Sequence, residues 1–192
     1  MFNAIIHTDT YEEAYVVNRS IPAILAATKL KAGQGILKAG IILAKDTVGE
    51  GVPYKKDFVE SVGTGNTTLV AFAHTLVSAP VRPGSVVITD GTKILADTGS
   101  GNFIGDGTGY INYETGEVSV TFASAPAAVD ITATYANKPF TALIEEVDTA
   151  TVTIGRTIKT GAVVQDALLV VDAAPASVDI EFLESIGIYP LS

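Results

Sequence analysis

"YINYETGEVSVTF" (residues 110–122) sets Glu114 and Glu117 among the aromatic side chains of Tyr110, Tyr113 and Phe122. The stretch is either a carboxylate-bearing site or a hairpin, and its period separates the two. Ile111 and Tyr113 fall on one face of a first strand, and Val118, Val120 and Phe122 share a face of a second. Glu114-Thr115-Gly116 forms the turn between them. Both glutamates then flank the turn in solvent, with no histidine or arginine beside them in sequence. The stretch reads as scaffold.

The same texture continues on both sides. From 62 to 138 the chain is a run of short strands: TTLVAFAHTLV, GSVVITDGTKILAD, YINY, GEVSVTF and VDITATYA. Pro83-Gly84, Asp90-Gly91 and Thr115-Gly116 punctuate it. Asp90-Gly91, between Val87-Ile88 and Ile94-Leu95, fits a two-residue hairpin because both residues tolerate positive φ. This length of antiparallel patterning suffices for a small β-sandwich or barrel-like module.

Before the module, "IPAILAATKLKAGQGILKAGIILAKD" begins with Ile21, Leu25 and Leu30 at a helix-like interval. Gly33, Gly35 and Gly40 then break that pattern into turn, short strand, turn and strand. After Asn137-Lys138-Pro139 a similar texture returns in "FTALIEEVDTA" and "TVTIGRTIKTGAVVQDALLVVD". "SVDIEFLESIGI" predicts a short helix capped by Ser177 or Asp179, with Ile180, Leu183 and Ile186 as its stripe and Gly187 at its end. Two turns of helix must pack on a sheet to persist. The expected fold is mainly β: a small β-rich core with one short C-terminal helix, built from 1–61 and 139–192, plus the module 62–138 inserted at a surface loop. Residues 1–20 read as an arm.

Bulk composition narrows the function. The chain has 192 residues, no cysteine, two histidines (His7 and His74) and a formal net charge of -9. A disulfide framework and a cysteine metal site are excluded, and a histidine zinc site has little to draw on. An acidic surface repels nucleic acid and anionic membrane, so neither is an expected partner. The apolar runs are too short to span a bilayer. The first residues lack the basic start and long apolar stretch of a secretory signal, so synthesis in a cytoplasm is expected.

Each candidate for chemistry has a plainer reading. "GSGNFIGDGTGY" (residues 99–110) is glycine-dense but lacks the lysine and the strand–loop–helix setting of a phosphate loop, and reads as a mobile β-β loop. Asp97 and Asp106 lack the regular ligand spacing of a calcium loop. His74, with Thr75 and Ser78 nearby, has no nucleophile-elbow sequence around it. Glu145, Glu146 and Asp148 could suggest paired carboxylates, but the chain has no tryptophan platform for a sugar, and a solvated turn fits them. Neither an enzyme, nor a metal, nor a cofactor is expected.

Read together, the two ends are similar to the lambda-type head decoration (capsid-stabilising) proteins of tailed bacteriophages. The stretches that carry the resemblance are "LKAGQGILKAGIILAKD" (Leu30–Asp46), "VPYKKD" (Val52–Asp57), "ALIEEVDTATV" (Ala142–Val152), "TGAVVQDALLV" (Thr160–Val170) and "IEFLESIGI" (Ile180–Ile188). The resemblance implies a structural virion protein, a homotrimer on the outer surface of the capsid at three-fold positions, which clamps neighbouring subunits of the major capsid protein. It also implies an N-terminal arm that contacts the shell, here through Phe2, Ile5, Ile6, Tyr11, Tyr15 and Val16. The inserted module departs from the shortest members of that family. It is expected to project outward, where it could meet a host-surface or environmental ligand. The alternative is a phage tail-tube, baseplate or fibre protein.

Overall fold

The computed structural model describes residues 23–171 and 175–191, and the arm residues named above lie outside them. The chain is mainly β. Before the module come β1 (Ile24–Lys29), β2 (Ile36–Leu37), β3 (Ile42–Lys45) and β4 (Gly51–Pro53). Then follow β5 (Phe58–Thr64), β6 (Ala71–Thr75), β7 (Val87–Thr89), β8 (Ile94–Asp97), β9 (Asn102–Gly105), β10 (Gly107–Ile111), β11 (Glu117–Phe122) and β12 (Asp130–Tyr135). The last elements are β13 (Pro139–Ala142), β14 (Val147–Asp148), β15 (Ile154–Val164), a 3-10 turn, helix α1 (Ser177–Ser185) and β16 (Ile188–Leu191).

Strands β5 to β12 make one eight-stranded antiparallel sheet in the order β5-β12-β7-β8-β9-β10-β11-β6, curled into a nearly closed barrel. The strands before and after it in the chain combine into three smaller sheets: β1-β15-β16, β13-β3-β4 and β14-β2. The expected boundary at 62 falls inside β5, so the barrel sheet reaches back to Phe58. Phe58 belongs there because its ring stacks on Tyr135, with centroids 5.3 Å apart.

The opening hairpin forms as β10–β11, with Ile111 opposite Val118. Val118, Val120 and Phe122 are buried together with Phe72, Phe103 and Ile131 in the barrel core. Tyr113 sits in the turn rather than on the strand and packs its ring against that core. Glu114 and Glu117 are exposed. A second core gathers Ile42, Tyr54, Ala142, Ile158, Leu183 and Ile188 from both ends of the chain.

Four local expectations change. The helix-like start of "IPAILAATKL" is strand β1, paired antiparallel with β15 from Ile24↔Thr160 to Lys29↔Ile154; a long strand partner outweighs helical spacing. The Asp90-Gly91 hairpin closes with four residues, since Thr89 pairs with Ile94, and the Asp90 carboxylate accepts from Thr92 N–H (2.9 Å) and Lys93 N–H (2.6 Å).

The glycine-dense stretch is not a mobile loop but two ordered strands, β9 and β10. Gly109 lies between Phe103 and Val120 in register, and Gly107 lies opposite Phe122. A Cβ on Gly109 would come 2.5 Å from Ser119 O. The glycines therefore let the backbone of β11 approach β10 more closely than a side chain would allow. Finally, the cap of α1 is Ala176; Asp179 is the third helical residue and its carboxylate accepts from Ala176 N–H at 2.8 Å. Gly187 ends the helix at φ 87, Leu183 is fully buried, and Ile186 lies outside the stripe, exposed.

Candidate functional site

The face nearest the arm is the sheet β1-β15-β16. Strand β1 begins directly after Ala23, and its second edge has no strand partner among the described residues. Such an edge presents unpaired backbone groups that another chain can complete. Exposed apolar side chains stand at both ends of it: Ile24 and Leu25 (45% exposed) at its start, and Ile154 (60%) opposite Lys29 at its end. Two cations, Lys29 opposite Ile154 and Arg156 opposite Ala27, frame this apolar surface. Arg156 is tied back by Glu145, whose carboxylate accepts from both its Nε and its backbone N–H at 2.9 Å. Burial raises the Glu145 pKa, but those two bonds outweigh it and hold the carboxyl below its usual range.

A second cluster joins the barrel to the rest of the molecule. Asp179 is fully buried at the start of α1. Its Oδ1 accepts from Tyr54 O–H (2.7 Å) and Arg82 Nη1 (2.8 Å), and its Oδ2 from Lys56 Nζ (3.0 Å). Arg82 comes from the β6–β7 connection at the base of the barrel, and it also donates to the Tyr54 oxygen. Burial alone would raise the Asp179 pKa; the bonds from Tyr54, Ala176 and Lys56 outweigh that and bring it below the usual carboxylate range. Burial and the Asp179 carboxylate push the Tyr54 phenol well up. Helix, core sheet and barrel thus meet at one charged knot.

The candidates for chemistry resolve into structural roles. His74 does find an acid: its Nε2 lies 3.2 Å from Glu60 Oε2. Sequence spacing hides this pair, because β5 and β6 are the two ends of the barrel sheet and meet only on closure. Glu60 also accepts from the Val77 N–H (3.1 Å) and from the Tyr135 hydroxyl. Ser78 contributes its backbone N–H to Tyr135 O–H at 3.0 Å. Burial, then the Glu60 bond, push the Tyr135 phenol up to about 12. The group zips the seam between β5 and β6.

Asp97 and Asp106 are spent on backbone. Asp97 accepts from Gly84 N–H, Gly99 N–H and Tyr113 O–H, and Asp106 from Ile94 N–H at 2.8 Å. Asp148 accepts from Ala150 N–H. Glu114 pairs with Lys138 Nζ at 2.7 Å, a partner supplied by the connection from β12 to β13. Among the described residues no three His, Asp or Glu side chains come together as a metal site, and no helix is long and apolar enough to cross a membrane. Comparison with protein-family models, curated proteins and solved structures gives no match.

Proposed function

We propose that this chain is a structural virion protein that binds the outer surface of a bacteriophage capsid as trimers at three-fold positions and stabilises the shell. The observation that carries this reading is the apolar edge of β1, which has no strand partner among the described residues and follows the arm in sequence. An arm rich in Phe2, Ile5, Ile6, Tyr11, Tyr15 and Val16 can add a strand to a shell protein, which completes its backbone hydrogen bonds and buries its side chains. The exposed Ile24 and Leu25 at its root, and Ile154 at the far end of β1, supply apolar area for a neighbouring copy or subunit. The resemblance of both chain ends to head decoration proteins sets the head above the tail as the place of attachment.

Removal of residues 1–15 tests the reading. The shortened chain is expected to keep the melting temperature of the full chain while its occupancy on purified capsids falls steeply. Unchanged occupancy would overturn the arm's role. A large fall in melting temperature would mean that Ile5 and Ile6 serve the protein's own sheet. Attachment to tails but not heads would favour the tail-tube, baseplate or fibre reading.

A further inference from the structure

Two cavities open along the junction between the barrel and the rest of the chain. The larger, of about 380 Å³, is lined by Lys31, Lys45 and Lys55 together with Phe58 and Val77. The smaller, of about 240 Å³, lies among Lys138, Phe140, Phe182 and Ile186. Lys45 lines both, so the two cavities adjoin at its side chain and make an interrupted groove. Four of the 12 basic side chains of a chain with net charge -9 therefore line these two adjoining cavities. Three of them have local carboxylates: Lys31 with Asp46, Lys55 with Asp57, and Lys138 with Glu114. Lys45, at the centre, has no carboxylate within 4.0 Å among the described residues, and its ammonium lies 5.0 Å over the Phe140 ring. An open ammonium above an aromatic floor suits a carboxylate flanked by aromatic or aliphatic groups.

One stretch of the chain has that chemistry and the necessary reach. "DTYEEAY" (Asp9–Tyr15) carries three carboxylates, two tyrosines and no basic residue. The groove end of β1 is fixed by the bridge of Leu30 to Gly51, and Gly51 pairs with Lys45. At ~3.3 Å per residue, the start of β1 lies about 20 Å from that point. Ala23 lies ten positions after Glu13, and an extended chain of ten steps covers up to ~33 Å. The tether is long enough, and it keeps the local concentration of the stretch high.

We propose that Asp9–Tyr15 seats in this groove of its own chain when the protein is free, with Glu12 or Glu13 against Lys45 and the tyrosines on the apolar floor. The seating goes beyond the proposed attachment to a shell and adds a consequence to it: a seated arm must leave the groove before it can add a strand elsewhere. It is tested without any capsid, so its failure and that of the attachment are distinguishable.

Zero-length carbodiimide coupling of the full chain, followed by peptide mapping, reads the contact. The expected product is a single chain with Lys45 joined to Glu12 or Glu13. Its yield should fall several-fold at about 1 M salt, where the Debye length shrinks to ~3 Å. In a parallel assay, the exposed variant Lys45→Glu should be cleaved in the arm by protease several-fold faster than the native chain. Absence of any linkage from Lys45 to the arm, linkage only between two chains, or an unchanged cleavage rate would each overturn the proposal.

Discussion

At the scale of single residues, Asp179 is the side chain on which the most structure converges. It is fully buried and takes donors from Tyr54, Lys56, Arg82 and its own helix. Arg82→Met leaves that charge with fewer partners, and loss of a partner from a buried ion pair costs about 3–5 kcal/mol. Urea unfolding should show this as a lower midpoint; a change below about 0.5 kcal/mol, the range of ordinary surface substitutions, would contradict the role given to Arg82. The pH dependence follows from the lowered pKa of Asp179. The unfolded carboxyl titrates near ~3.9, so the native state binds this proton less readily than the unfolded state. The stabilisation is complete above that value and is lost as pH falls through the lower folded value. Asp179→Asn should be less stable than the native protein at pH 6, and the gap should narrow steadily below about pH 4. A gap independent of pH would mean that the carboxylate charge contributes nothing.

At the scale of elements, the barrel depends on the close approach of β10 to β11 at its glycines and on the β5–β6 seam that closes it. Gly109→Ala places a Cβ 2.5 Å from Ser119 O and 2.8 Å from Val120 Cγ1. Backbone has little room to yield there, so the barrel should lose about 2 kcal/mol or more, read as a fall in its melting temperature. Gly91→Ala, with nothing within 4 Å but φ 87, should cost less, through backbone strain alone. Equal losses at the two sites would contradict the packing account. Glu60→Ala removes the acceptor for Tyr135, His74 and Val77 together, and a buried hydroxyl left without a partner costs about 1–3 kcal/mol. These two features also mark the limit of what alternation reveals. The β10–β11 and β12 strands were legible because Val118, Val120, Phe122, Ile131 and Ala133 alternate with outward residues. The strand β9 was hidden because two of its neighbours are glycines, although Gly105, Gly107 and Gly109 recur at the strand period and their spacing was itself a strand signal. The seam was illegible because Glu60 and His74 become neighbours only when the sheet curls. The junction knot was hidden for a similar reason: Tyr54, Arg82 and Asp179 are far apart in sequence and meet only when both chain ends fold together.

At the scale of the whole molecule, the barrel strands are contiguous in the chain, while the small sheets combine residues from both sides of them. Excision of 58–137 with a short glycine linker removes Arg82 and also Asn137, which accepts from Lys55 N–H and donates to Pro53 O. The remainder should therefore fold with reduced stability, and Asp179→Asn in that shortened chain should recover part of the loss, because it removes the buried charge that the excision deprives of its arginine. Loss of cooperative unfolding in both shortened chains would show that barrel and core depend on each other throughout. The proposed attachment to a protein shell rather than to nucleic acid rests on the acidic composition, on an edge of β1 without a strand partner among the described residues, and on the apolar residues of the arm. Electron cryo-microscopy of purified phage heads incubated with the full chain tests that claim most directly. The account predicts density for three copies at each local three-fold position on the outer surface, with the barrels pointing away from the shell. Heads with no added density at saturating concentration, or copies bound only along tails, would contradict it.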